Sequence, residues 1–419
     1  MKGFRASLLS FGSDGQPGLI DDALLVADAG LIVDVGEYRS VAARFPQVET
    51  FDWRGQVLAP GFVDMHVHFP QLDVIASPAA GLLPWLEEYA FAQEARFGDP
   101  EHAGVAAEFF LDELARNGVT TAMVWCSSHE QSADAFFQAA ARRDLRMVAG
   151  KVLMDCNCPE PVRDDTERGL AQSEALIMRW HGHGRLGYAI TPRFAPNCSE
   201  RQMRGAGELA RAHEGVWVQT HLAEDRDEIA WVARLFPRAS SYLDVYDRLG
   251  LLRPRSVYAH CIHIDDADRL RLTRSGAGVA VCPTSNLFLG SGLFDFDAAA
   301  RTGMHWGLAS DVGGGTSFSP FRTMLAAYEV ARLSGVTLAP STLWRRHTSG
   351  AAHAMGLGER IGELAPGMEA DFVALDPKAT ELLARRTGIA STTEEWLFAL
   401  IVLGDDRAIA RTVIAGEPR

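Results

Sequence analysis

Cysteine is scarce in this chain: Cys126, Cys156, Cys158, Cys198, Cys261 and Cys282 are scattered through 419 residues, too thinly for a disulfide framework. No Cys-x-x-Cys pair occurs, which removes both the common redox motif and zinc-finger spacing. Cys156 and Cys158, one residue apart, read as packing thiols. Positive charge is also short. Lys and Arg total 40 against 54 Asp and Glu, a formal net charge of −14. That balance opposes a nucleic-acid partner, because phosphate binding draws its affinity from clustered cations. No charge-free apolar run reaches the roughly 18 residues of a membrane span, and Met1 to Ser10 hold two cations but no apolar core of signal-peptide length. The expectation is a cytoplasmic protein with no membrane or nucleic-acid partner, acting on a small molecule.

What is present is a rhythm. The start of the chain runs in short alternating apolar and polar segments, such as 23–26 and 31–35, as strands and hairpins do. Beyond Val57, apolar runs alternate with helical patterns such as 103–117 and 133–143. Candidate strands fall at 58–66, 120–125, 146–154, 187–191, 216–221, 256–260, 277–282 and 306–311. Eight such βα repeats predict an α/β fold, a (β/α)8 TIM-type barrel, whose chemistry sits at the carboxyl ends of its strands. Short strand-like runs return at 361–364, 371–375 and 410–415. Both termini are therefore expected to build one small β-sandwich domain, from residues 1–57 and 359–419, around a barrel spanning 58–358. Residues 379–395 read as a helical excursion.

The first barrel strand ends in Pro60-Gly61-Phe62-Val63-Asp64-Met65-His66-Val67-His68, and a strand period of two puts His66 and His68 on one face. His181-Gly182-His183 has the same spacing but precedes the fourth strand, so it belongs at the opposite end of the barrel. His221, His260 and Asp311 fall at the carboxyl ends of the fifth, sixth and eighth strands. Three imidazoles and a carboxylate suit Zn2+, so His66, His68, His221 and Asp311 are the expected ligands of one zinc per subunit. The fourth strand ends without a lysine to bridge a second metal, and Lys151 belongs to the third.

Zinc brings the pKa of a bound water to about 7, which makes hydrolysis the natural reaction. Asp311 can take the water's proton, and His260 can orient the water or stabilise developing charge; the alternative for His260 is a core histidine satisfied by backbone. Glu224, in His221-Leu222-Ala223-Glu224, can carry a proton to a ring nitrogen and then to departing ammonia. Its acidic neighbours Asp225, Asp227 and Glu228 leave a solvated loop acid as the other reading. Arg193 can donate to a substrate carbonyl, Phe194 can pack on a planar ring, and Gln71 offers a donor and an acceptor to a heterocycle edge. A surface salt bridge, a core aromatic and a loop amide are the respective alternatives. Gly313-Gly314-Gly315 could cradle phosphate, but no cation follows closely before Arg322, which favours a tight turn.

These residues, with Leu83-Pro84-Trp85-Leu86, Glu94-Ala95-Arg96-Phe97, Gly150-Lys151-Val152-Leu153-Met154-Asp155, Thr191-Pro192-Arg193-Phe194, Arg226-Asp227-Glu228 and Cys282-Pro283-Thr284-Ser285-Asn286-Leu287, resemble the amidohydrolase superfamily. More narrowly, they look like its guanine deaminases, over nearly the whole chain. The resemblance implies zinc on His66, His68, His221 and Asp311, a proton-shuttling Glu224, and guanine contacts from Gln71, Arg193 and Phe194, with His221 and Glu224 also at the substrate. It implies hydrolysis of guanine to xanthine and ammonia by a homodimer. Other aminated purines, pterins, triazines or cyclic amides fit the same machinery, and a barrel kept as a non-catalytic scaffold is the reading from another class. The second zinc-deaminase architecture, marked by His-x-Glu and Pro-Cys-x-x-Cys, is absent from the sequence.

Overall fold

The computed structural model describes residues 1–12 and 15–419. Eight parallel strands lie side by side: β1 (Phe62–His68), β2 (Val119–Trp125), β3 (Arg146–Gly150), β4 (Gly187–Pro192), β5 (Trp217–Leu222), β6 (Ser256–His260), β7 (Gly278–Val281) and β8 (His305–Leu308). Every residue of β1 to β4 is buried, which is why they read as unbroken apolar runs: a parallel strand is covered on both faces. Helices Pro100–Arg116 and Glu130–Arg142 turn Phe110, Leu111, Leu114, Phe136 and Phe137 onto the outside of the barrel. Inside, Met65, Met123, Val148, Ala189, Trp217 and Val257 fill the lumen. Trp217, which opens β5, donates from Nε1 to the Met355 carbonyl at 2.8 Å.

Closure of the barrel also sets the site. Past β8 the chain runs back along β1, with Asp311 N donating to His66 O and His68 N to Val312 O, both at 2.9 Å. Asp64 Oδ1 accepts from Ser310 N at 3.0 Å and from His66 N at 3.2 Å. Asp311 and the two histidines of β1, remote in sequence, are thus fixed to each other through backbone.

The terminal sheet has seven strands in the order Glu417–Pro418, Ile409–Ile414, Phe372–Leu375, Glu49–Pro60, Lys2–Phe11, Pro17–Asp28 and Leu31–Glu37. Two expectations change here. The run 58–66 divides, because Leu58, Ala59 and Pro60 pair with Ala374, Val373 and Phe372 in the terminal sheet. The chain enters β1 only after Gly61, where a Cβ would strike the Thr120 side chain. The run 361–364 is not a strand, since Ile361 N is committed to Leu357 O at 3.2 Å and Gly362 takes a positive φ of 96°. The helical excursion after Ala379 comprises Glu381–Gly388 and Thr393–Leu403, opened by the side-chain caps Thr380 and Thr392. Among the described residues no helix is long and apolar enough to cross a membrane, and all six cysteines are free thiols.

A buried ion cluster ties the amino end of the barrel to the terminal sheet. Arg146, opening β3, donates from Nε to Glu369 Oε2 at 2.7 Å. Arg185, just before β4, reaches Glu369 at 2.8 Å and Asp371 at 2.7 Å. Removing one member of such a group strands the opposite charge in a dry environment. Glu369→Ala is expected to destabilise the fold by about 3–5 kcal/mol, seen as a lower urea midpoint; an unchanged midpoint would mean that water already solvates the cluster.

Candidate active site

The carboxyl ends of β1, β5 and β6 and the segment after β8 bring five side chains together. His66 Nε2 and His68 Nε2 face each other at 3.1 Å. Asp311 Oδ1 lies 3.1 Å from the first and 3.4 Å from the second. The His221 ring is 4.8 Å from that of His66 and stacks on His68 at 5.3 Å. His221 Nδ1 donates to the Arg193 carbonyl at 2.7 Å, which fixes the tautomer and leaves Nε2 as a bare lone pair. Burial and the neighbouring imidazoles hold His68 and His221 well below the usual histidine range, and burial does the same for His66. All three rings are therefore in the neutral form that metal ligation requires.

The spacing fits a cation. A tetrahedral ion with ligand bonds of 2.0–2.1 Å sets its ligand atoms about 3.3 Å apart, and the three distances just given match those edges. Ligand atoms of His66, His68 and His221 lie within 4.8 Å of one another, as do those of His66, His260 and Asp311. His260 Nδ1 donates to Asn286 Oδ1 at 2.9 Å. Its Nε2 has no hydrogen-bond partner yet sits 3.3 Å from Glu224 Oε2 and 3.8 Å from Asp311 Oδ2, so it faces the reaction space and not the backbone. His260 and Asp311 both adopt left-handed φ values, 68° and 50°, costing on the order of 1–3 kcal/mol each. Backbone held in that way aims a strand-end side chain across the barrel mouth.

Asp311 is fully buried, and desolvation pushes its carboxyl up to about 6. Gly313, Gly314 and Gly315 form the turn beside it: a Cβ on Gly313 would come within 2.5 Å of Gln71 Cβ, and one on Gly314 within 2.8 Å of Ser285 Oγ. Crowding explains these glycines as a tight turn. Glu224 is buried and not a solvated acid. Ser291 Oγ donates to its Oε1 at 3.0 Å, and its own amide donates to Glu228 Oε2 at 2.9 Å. Burial, reinforced by Asp311, raises the Glu224 carboxyl well above the usual range. Asp225 meanwhile caps helix Arg226–Leu235 in a capping box with Glu228.

Arg193 and Gln71 meet on one carboxylate. Glu94, 1% exposed, accepts from Arg193 Nη1 at 2.6 Å through Oε2 and from Gln71 Nε2 at 2.7 Å through Oε1. Phe194 is buried and edge-on to Trp231 at 6.2 Å. With Leu82, Trp85, Leu86 and Leu289 it makes apolar walls around a cavity whose polar lining includes Gln71, Arg193, Glu224, His260 and Asp311. Lys151 is buried against Asp164 at 2.7 Å and joins neither donor group. His181 and His183 sit in the turn before β4, where His181 Nδ1 accepts from Tyr188 N at 3.2 Å and His183 packs on Trp180. Sequence reasoning gave no role to Glu94, Asn286, Ser291 or Glu228. Glu94 and Asn286 lie in motifs already noted, so their positions were visible and their contacts were not.

The sequence profile of the amidohydrolase family matches residues 57–419. The guanine deaminase of Escherichia coli (strain K12) is 42% identical over 399 residues, covering 95% of this chain and 91% of that protein. A solved E. coli guanine deaminase structure superposes with a TM-score of 0.98 at 40% identity, covering 100% of this chain and 99% of the other. A guanine deaminase from C. acetobutylicum, solved with guanine in its active site, gives a TM-score of 0.92 at 27% identity over 100% and 99% of the two chains. This chain belongs to the amidohydrolase family and, within it, to the guanine deaminases.

Proposed function

We infer that the protein hydrolyses guanine to xanthine and ammonia, with one zinc ion per subunit held by His66, His68, His221 and Asp311. The observation that carries the substrate is the pairing of Gln71 and Arg193 on Glu94, at the wall of the cavity that His68, His221 and Asp311 also line. Arg193 offers only donors, which suits the carbonyl at C6 of guanine and opposes the amino group that adenine carries there. The cavity's apolar walls, Phe194 and Trp85 among them, suit a flat ring. A bound zinc ion supplies the Lewis acidity that makes water a nucleophile near neutral pH.

The chain's own groups carry the protons. Asp311 takes one from the attacking water, whose oxygen forms the new bond to C2. Glu224, whose carboxyl is pushed well above the usual range by burial and by Asp311, gives a proton to ring N3. His260, whose Nδ1 hydrogen is committed to Asn286 Oδ1, accepts through Nε2 from the attacking water and then from the hydroxyl at the tetrahedral carbon. Collapse breaks the C2–N bond; the hydroxyl proton restores Glu224 while the proton from Asp311 reaches the amino group. One hydrogen of water thus ends in ammonia and the other on Glu224, where it replaces the proton delivered to N3, so both carboxyls return to their starting states.

The same reading carries a cytoplasmic homodimer, resting on the free thiols and on the guanine-deaminase resemblance; a sedimentation mass of one chain would contradict the dimer. Ultraviolet absorbance with zinc-loaded protein tests the activity. Guanine should disappear with one ammonia released per base, and kcat/KM on adenine should be lower by at least about 100-fold, since a buried donor left facing an amine is penalised that strongly. Turnover of adenine or a triazine without guanine would sink the assignment.

A further inference from the structure

We propose that Glu94 is the residue that sets the substrate code of this site, by forcing Gln71 to present its carbonyl oxygen, and not its amino group, beside the Arg193 guanidinium. This role for Glu94 rests on the guanine reading above and extends it. A carboxylate only accepts hydrogen bonds. Because Glu94 Oε1 lies 2.7 Å from the Gln71 amide, the end turned toward it must be the NH2. The end left for the cavity that Gln71 lines is therefore Oε1, an acceptor. Glu94 Oε2 is at the same time held by Arg193 at 2.6 Å, so the carboxylate itself cannot turn away. One buried side chain thereby places an acceptor and a set of donors next to each other.

That pair matches a lactam edge. In guanine the C6 carbonyl accepts and the adjacent N1–H donates, and no other carbonyl neighbours a ring N–H in that order in the common tautomer. Adenine shows the reverse pattern, an amino donor beside a bare N1 acceptor. Gln71 alone would not discriminate, since a glutamine amide can turn over to offer either end. Glu94 removes that freedom. It need not touch the base, so it is a positioning residue.

The code can be inverted and restored by exchange. In Glu94→Gln, the new amide must keep its oxygen toward Arg193, which has no acceptor. Its NH2 then faces position 71, and Gln71 must turn its carbonyl inward and its NH2 to the cavity. In the double exchange Glu94→Gln with Gln71→Glu, the carboxylate at 71 accepts from the new amide and shows its other oxygen to the ligand, so the acceptor returns.

The readout is equilibrium binding of two bases that lack the 2-amino group: hypoxanthine, which has the lactam edge, and purine, whose N1 is an acceptor. Calorimetric titration of wild type should favour hypoxanthine. Glu94→Gln should shift the purine-to-hypoxanthine ratio of dissociation constants by about 10- to 100-fold toward purine, the effect of one mismatched buried polar contact. The double exchange should return the ratio to within about threefold of wild type. A general loss of order would weaken both ligands alike, so an unchanged ratio in Glu94→Gln, or no recovery in the exchange, overturns the proposal. If the single variant does not fold, the exchange decides alone: hypoxanthine preference near wild type supports the proposal and its loss refutes it. Wild-type protein that does not turn over guanine would instead end the reading beneath it.

Discussion

Glu224→Gln is expected to lower kcat on guanine by about 1,000- to 10,000-fold, the upper range for removal of a positioned acid–base group, while zinc content stays at the wild-type level. The substitution is nearly isosteric, and a glutamine oxygen can still accept from Ser291 Oγ, now 3.0 Å away. What it loses is the proton for ring N3 and the site that collects one from the tetrahedral carbon. Glu224 belongs to neither set of clustered donor atoms, so the metal should be indifferent to the change. Metal analysis beside steady-state kinetics checks both halves. Parallel loss of zinc and turnover would place Glu224 among the ligands and remove it as the proton carrier.

Asp311→Asn is expected to cost more, at least about 10,000-fold in kcat, because one group is asked both to hold the ion and to accept the water's proton. The backbone should survive the change. Asp311 has a φ of 50°, and asparagine tolerates that left-handed region as readily as aspartate. The hydrogen bond from Asp311 N to His66 O does not involve the side chain, so barrel closure is kept. Far-ultraviolet circular dichroism like wild type, with weakened zinc binding and turnover near the uncatalysed rate, is the expected set of results. A variant that retains a tenth or more of wild-type kcat would show that Asp311 is not the base.

Much of this was legible in the sequence for one physical reason: parallel barrel strands are buried on both faces and so stand out as apolar runs, and chemistry gathers where those runs end. The two-residue period put His66 and His68 on one face, and His221, His260 and Asp311 each stood at the carboxyl end of an apolar run. The boundary at Gly61 was hidden because Leu58, Ala59, Phe62 and Val63 are all buried although they serve two different sheets. Glu94 was hidden for another reason. Its partners lie 23 and 99 residues away, and no periodicity links a helical acid to side chains that approach it only in the folded barrel. Asn286 is similar: its hydrogen bond to His260 spans 26 residues, from the helix Pro283–Phe288 to the last residue of β6. Pattern locates surfaces that must be buried, whereas it does not report which polar atoms will meet inside them.

The central claim is that one divalent ion, held by His66, His68, His221 and Asp311, is required for guanine hydrolysis. The most direct test strips the protein with a chelator and titrates zinc back while guanine turnover is followed by ultraviolet absorbance. The stripped protein should be inactive, and activity should rise linearly and level off at one equivalent of zinc per chain. Turnover that persists without metal, or that levels off only at two equivalents, would contradict the account.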